Sequence, residues 1–224
     1  MLVKYRGIIF DFNGVLLWDV SWHRQAWERL ARSLGRTPFS DAEWKAAEGV
    51  PTGELLPRLA GRELAQDELA ADEKQKDDLY REVAAEHAGG MRLSPGAEAL
   101  LASLAARNIP HAIATSSNPR DMQLFVEQLQ LRRWFAPEHI VCNDGSFPGK
   151  PAPDIYLRAA GAVGVAIGEC AVVEDALAGI AGAAAAGAGM VIGLGPAQRH
   201  SELRRVGAMR TIETLGEISS EEFA

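Results

Sequence analysis

The sequence predicts an α/β protein: a parallel-sheet core with helices on both faces, interrupted near its N-terminus by an inserted helical bundle. Three observations carry this. A short β-prone run at residues 7–12 ends in the turn signal Asn13-Gly14. A polar, helix-patterned stretch follows at once and continues to about residue 87. Beyond Gly89-Gly90, strand-like and helix-like runs alternate, the pattern of parallel strands joined by crossover helices. The expected division is a core at residues 1–16 and 90–224, with a helical cap at 17–89.

The elements follow in order. Trp27, Leu30, Ala31 and Leu34 share one helical face, and Gly35 stops it. Residues 40–87 are helix-rich, with Gly and Pro only near 49–61, and residues 73–86 form a charged helix with a solvated face. Ala97, Leu100, Leu101 and Leu104 make the next helical face. Strands are expected at 111–114, 139–142, 170–173 and 190–192, and helices at 122–131, 152–163 and 177–186. The Ala-Gly bias of residues 178–189 marks a helix packed close against the sheet.

Composition bounds the function. The chain has 224 residues, 47% of them hydrophobic, and a net charge of −7. That is enough for a sizeable core and argues against wholesale disorder. A pI near 5.3 argues against nucleic acid as a partner. No apolar run approaches the roughly 18 residues that span a membrane. Residues 176–195 come nearest and are mostly Ala and Gly. The first seven residues do not read as a signal peptide. Cys142 and Cys170 make neither a disulfide framework nor a metal cluster, and are expected to be buried, inert thiols in a reducing cytoplasm.

Ligands of open α/β sheets bind beyond the carboxyl ends of the strands. The polar residues there are Asp11 and Asn13, then Thr115-Ser116-Ser117-Asn118, then Asn143-Asp144 with Lys150, then Glu174-Asp175. Asp11 can attack phosphorus in line, or simply accept turn hydrogen bonds. Glu174 and Asp175 can hold Mg²⁺ with Asp11, or cap the following helix. Thr115 and the N–H groups of Ser116 and Ser117 form a ready anion site, or an ordinary cap. Lys150 can neutralise a nucleophile and phosphoryl oxygens, or sit as a solvated charge.

In order and spacing, these strand ends resemble the four motifs of the haloacid dehalogenase-like superfamily of phosphohydrolases. The first is Ile9-Phe10-Asp11-Phe12-Asn13-Gly14-Val15 and the second Ala114-Thr115-Ser116-Ser117-Asn118. The third is Gly149-Lys150-Pro151-Ala152-Pro153-Asp154 and the fourth Val173-Glu174-Asp175-Ala176-Leu177-Ala178-Gly179-Ile180. The last two are similar to the branch holding β-phosphoglucomutase and phosphoglycolate phosphatase. The resemblance implies a Rossmann-like core with a helical cap that closes over it and selects a small phosphorylated metabolite. It implies Asp11 as nucleophile, and Mg²⁺ held by Asp11, the Asn13 carbonyl, Asp175 and Glu174, the last directly or through water. Thr115, Ser116, Ser117, Asn118 and Lys150 would hold the phosphoryl group. Without a divalent ion, three carboxylates would repel a phosphate dianion, so dependence on Mg²⁺ is expected.

Position 13 departs from the pattern. The phosphatases and mutases of the family carry a second Asp there, which protonates the leaving oxygen and then activates water. Asn13 cannot shuttle a proton at neutral pH. Four explanations stand: a trapping mutation, another acid/base group, substrates with good leaving groups such as acyl phosphates, or a phosphate-binding relative with little or no catalysis. His23, at a hinge position where the branch often carries a His, and Asp19 are candidate substitutes, His23 also a candidate substrate-binding residue, with hinge packing the alternative. Trp18 and Trp22, one helical turn apart, can line the mouth of the site or pack the hinge. A sugar phosphomutase is disfavoured, since Gly49-Val50-Pro51-Thr52-Gly53 lacks the Arg expected there; Arg58 and Arg81 can substitute for it or sit as solvated helix charges. Monomer and homodimer are both compatible.

Overall fold

The computed structural model describes residues 5–47, 52–87 and 91–224. Strand β1 (Gly7–Phe10) leads into four helices, α1 (Val20–Ser33), α2 (Asp41–Ala47), α3 (Thr52–Ala60) and α4 (Gln66–Glu86). Next come α5 (Ala97–Ala106), β2 (His111–Thr115), α6 (Pro119–Gln128), β3 (Ile140–Cys142) and α7 (Asp154–Ala162). The chain closes with β4 (Cys170–Glu174), α8 (Leu177–Ala185), β5 (Met190–Leu194), α9 (His200–Arg205) and β6 (Arg210–Ile212). It divides into two compact units, Met1–Trp18 with Arg92–Ala224, and Asp19–Met91.

The first unit is a six-stranded sheet in the order β3-β2-β1-β4-β5-β6. Every neighbouring pair is parallel. Parallel sheets must be covered on both faces. Ile9, Ala112, Ala114, Val172 and Val191 pack with Ile155, Tyr156, Ala159 and Ala160 of α7, Ile180 and Ala183 of α8 and Leu203 of α9. The alternate residues Ile8, Phe10, Ile113, Val173 and Ile192 are equally buried on the other face. Register then builds the site. Phe10 pairs with Val173 on one side and Ile113 on the other, so Asp11 emerges beside the ends of β4 and β2. The Asp11 N–H extends the ladder by one bond to the Val173 carbonyl, at 3.0 Å.

The second unit is all helical. Trp27, Leu30 and Ala31 of α1 bury with Ala47 and with Leu55, Leu56 and Leu59 of α3, and Leu69 and Leu79 of α4 pack against them. The rest of α4 is charged and solvated, with Lys76, Tyr80, Val83 and Ala84 as its buried residues. At the start of α1, the Asp19 carboxylate is fully buried and accepts a hydrogen bond from the Tyr80 hydroxyl. The His23 ring stacks on Tyr80 at 4.2 Å, with Nε2 3.4 Å from Asp19 Oδ2.

Several elements differ from expectation. β1 ends at Phe10, because the chain turns back at once, with the Leu17 N–H donating to the Phe12 carbonyl at 2.9 Å. α6 begins at Pro119, three residues early, because Asn118 Oδ1 caps the Asp121 N–H at 3.0 Å and Pro suits the first turn. It ends at Gln128, before Gln130 turns left-handed at φ 50°. α4 begins at Gln66 rather than residue 73. α9 and β6 were not anticipated: six and three residues respectively, rich in Arg, carry too little apolar periodicity. Trp18 and Trp22 do not share a helical turn, since α1 starts at Val20; Trp18 is exposed, and Trp22 stacks on His87 at 5.2 Å. Cys170 is buried, while Cys142 is only half-buried. Among the described residues, no helix is long and apolar enough to cross a membrane. The expected cap turn at Gly49, Val50 and Pro51 and the Gly89-Gly90 junction lie outside the described residues.

Candidate active site

Three strand ends of the first unit converge on one cation. The Lys150 Nζ lies 2.5 Å from Asp11 Oδ1, 2.5 Å from Glu174 Oε1 and 3.2 Å from the Ala114 carbonyl oxygen. An ammonium has three N–H donors, and here each has an acceptor. Burial works against the Lys150 charge, yet the carboxylates of Asp11 and Glu174 hold its proton on, well above the ordinary lysine range. Lys150 is thus an anchored charge at the end of β1, not a solvated one.

The carboxylates are crowded. Asp11, Glu174 and Asp175 each offer an oxygen, and these atoms lie within 4.8 Å of one another. Burial, and then the charge of Glu174, pushes the Asp11 carboxyl up to about 7 against the pull of Lys150. Asp175 is raised well above the ordinary range, first by burial and then by Asp11 and Glu174. Three carboxylates facing one ammonium leave the buried cluster with an excess of negative charge. Oxygen donors and that excess are what a hard divalent cation requires, so the residues fit Mg²⁺.

The second strand end supplies hydroxyls and amides. Thr115 is buried, and its Oγ1 accepts the Ser117 N–H at 3.1 Å. Ser117 Oγ donates to Asn13 Oδ1 at 2.8 Å. Asn118 is the cap of α6, with its amide also donating to Asp121 Oδ2 at 2.8 Å. The expected anion site therefore has the Ser117 N–H and Asn118 engaged with their own loop and the Ser117 hydroxyl engaged with Asn13. Asn143 and Asp144 accept from the Gly145 and Ser146 N–H groups, each at 2.9 Å, and shape the loop that leads to Lys150. His23 and Asp19 belong to the helical unit, where they pair with each other.

Sequence reasoning missed Tyr156 and Arg199, and what the motif glycines Gly14 and Gly179 make room for. The Tyr156 hydroxyl donates to Glu174 Oε1 at 2.6 Å and lies 3.0 Å from the Gly179 carbonyl, so α7 clamps the fully buried Glu174. Arg199, in the loop after β5, donates to the Asp175 carbonyl at 3.3 Å. Gly14 has φ +81°, and a Cβ there would fall 2.2 Å from Asp175 Oδ2. Gly179 sits in α8, where a Cβ would fall 2.2 Å from the Glu174 carboxyl. The Ala-Gly bias of α8 was the available signal, and its meaning is this close approach to an acid.

Gly179→Ala should therefore destabilise the protein by about 1–3 kcal/mol, the cost of overpacking. The intrinsic helix preference for Ala alone would stabilise it by up to about 1 kcal/mol. Chemical denaturation reads the sign directly, and a stabilised variant would refute the packing argument.

The geometry has counterparts among known proteins. A family model described as haloacid dehalogenase-like hydrolase matches residues 5–187. Hexitol phosphatase A of Escherichia coli is 32% identical over 195 residues, covering 87% of this chain and 86% of that protein. The probable pseudouridine-5'-phosphatase of Drosophila melanogaster is 30% identical over 231 residues, covering 100% of this chain and 95% of that protein. A solved structure of a family IA, variant 3 hydrolase from Entamoeba histolytica HM-1:IMSS superposes with a TM-score of 0.88 at 36% identity, over 97% of this chain and 96% of that one.

Proposed function

The chain belongs to the haloacid dehalogenase-like hydrolase family, and from that membership we propose that it is a Mg²⁺-dependent phosphatase of small phosphorylated metabolites working through an aspartyl phosphate on Asp11. The observation that carries the reading is Asp11 at the end of β1, bound to Lys150 at 2.5 Å and grouped with Glu174 and Asp175. We assign the sheet unit as the catalytic core and the helical unit Asp19–Met91 as the cap.

Asp11, the Asn13 carbonyl and Asp175 would hold the metal, with Glu174 ligating directly or through water. Bound there, Mg²⁺ would offset the carboxylate charge and orient the phosphoryl oxygens. Lys150 engages Asp11 Oδ1, and the Asp11 carboxylate would attack phosphorus. Lys150 also stabilises charge on the phosphoryl oxygens, and the Thr115 hydroxyl and Ser116 N–H orient them. Tyr156 holds Glu174 and, through it, Lys150. His23, paired with Asp19 and stacked on Tyr80, orders the start of α1. Two free cysteines suit a reducing, cytoplasmic setting.

Relatives named for hexitol and pseudouridine phosphates make phosphorylated sugars and polyols the first substrate panel. Phosphate release from that panel, with and without EDTA, is the test. Release that EDTA abolishes and Mg²⁺ restores is the expected result; release that survives EDTA would overturn the metal assignment. Asn13 favours one second reading, a phosphate-ligand binder with little turnover. Metal-dependent binding of a sugar phosphate without any hydrolysis would select it.

A further inference from the structure

We propose that Arg199 is a positioning residue for the metal: it fixes the backbone of Asp175 and so holds the Asp175 carboxylate ready for Mg²⁺. The proposal rests on the metal assignment of the phosphatase reading above.

Asp175 stands where regular structure stops. Glu174 is the last residue of β4 to pair with β5, opposite Gly193. Asp175 follows it beyond the ladder, and α8 begins only at Leu177. A carbonyl that leaves a ladder takes its donor from elsewhere. Here Arg199 Nη2 supplies one at 3.3 Å. The side chain of Asp175 is bounded on its own account. A Cβ on Gly14 would fall 2.2 Å from Asp175 Oδ2, so the carboxylate lies against the Gly14 backbone. The residue is thus held twice, by its carbonyl and by its carboxylate. A shift of its backbone would carry the carboxylate away from Asp11 and Glu174, whose oxygens lie within 4.8 Å of it.

Arg199 is itself braced. Its side chain is only 18% exposed, and its Nε lies 3.6 Å from Glu202 Oε2 on α9. Leu203, the next residue of α9, is buried in the core. The Arg199 N–H donates to the Pro196 carbonyl at 2.8 Å, and His200 Nε2 lies 2.9 Å from the Gly195 carbonyl oxygen, so the turn after β5 is closed. A guanidinium has no acceptor to offer a cation, so Arg199 acts on the metal only through Asp175. Its charge and its bond pull in opposite directions. The charge reaches the Asp175 carboxylate and would repel a cation there. Glu202 offsets part of that charge, while the bond restrains a ligand directly. Partners that orient a metal ligand are worth roughly 10–100-fold in affinity, so the bond should win.

The probe is Mg²⁺ alone. Thermal melts of metal-depleted protein across a Mg²⁺ series give the half-saturating concentration for this chain, Arg199→Met and Arg199→Lys. Phosphate release from an aryl phosphate gives kcat at saturating Mg²⁺ for the same three proteins. Met keeps the buried stem and loses the donors, whereas Lys keeps a donor and the charge. Arg199→Met should raise the half-saturating Mg²⁺ concentration by roughly 10–100-fold and leave kcat at saturating Mg²⁺ largely intact. Arg199→Lys should recover much of the lost affinity. A merely structural role would lower the melting temperature in EDTA and leave the Mg²⁺ midpoint unmoved. That result, or a midpoint that falls, overturns the inference and leaves the metal assignment standing. A lysine variant no better than the methionine variant overturns it as well. If Mg²⁺ moves the melt of none of the three proteins, the metal assignment fails and the inference fails with it.

Discussion

Asn13→Asp is expected to raise turnover of alkyl phosphates by on the order of 10²-fold or more. The argument is local. The side chain at position 13 follows Asp11 by two residues, on a turn that Gly14 permits with its φ of +81°. Its Oδ1 is anchored by the Ser117 hydroxyl at 2.8 Å. A carboxylate has nearly the same shape and can accept the same hydrogen bond from Ser117. What changes is chemistry: one of its oxygens can now carry a proton to the leaving group and take one from water. Phosphate release under saturating Mg²⁺ measures the gain. If this chain already turns over alkyl phosphates well and the aspartate adds nothing, another group carries the proton, and His23→Ala is the next variant. If neither chain turns over but both bind a sugar phosphate with metal, the binder reading replaces the enzyme.

The candidate site was legible where polar residues stand singly at strand ends. Asp11, Thr115, Glu174 and Asp175 announce themselves because an open parallel sheet gathers the carboxyl ends of its central strands, here β1, β2 and β4, and Lys150 arrives from the loop after the edge strand β3. The alternation of apolar runs was enough for five of the six strands. β6 and α9 escaped because short, Arg-rich elements at a sheet edge bury little and show no period. Tyr156 escaped for the opposite reason. It reads as one more apolar residue on the buried face of α7, and only the fold shows its hydroxyl aimed at Glu174. Gly179 was read as a packing glycine of the Ala-Gly helix, yet the group it makes room for is the Glu174 carboxyl. A sequence shows that a residue is small; it does not show what approaches it. Ser117 lay between these cases. It was visible as part of a hydroxyl-rich strand end, but its bond to Asn13 spans 104 positions and has no local signature.

Asp11→Asn is expected to lower phosphate release by roughly 10⁴-fold or more, the scale on which removing a nucleophile acts. An amide does not form the aspartyl phosphate, and no neighbour replaces it. Glu174 is held by Lys150 and Tyr156, and Asp175 is one of the three carboxylates grouped there. The same substitution has a second consequence that separates lost chemistry from lost structure. In the folded protein, burial and the charge of Glu174 hold the Asp11 carboxyl up to about 7, against an ordinary value of 3.8. The folded state therefore keeps a proton that the unfolded chain releases near pH 4. That contribution to stability is fully present below about pH 4 and is lost as pH rises through about 7. Metal-free protein should be less stable at pH 8 than at pH 5 on this account. An asparagine has no such titration, so the variant should gain on the parent between pH 5 and pH 8, by about 2–4 kcal/mol. Thermal melts in EDTA at the two pH values read the difference. Saturating Mg²⁺ should reverse the order by stabilising the parent, whose carboxylate cluster is complete, more than the variant. A variant that loses turnover and melts below the parent under every condition would mean that Asp11 holds the fold together, and the nucleophile would have to be sought elsewhere.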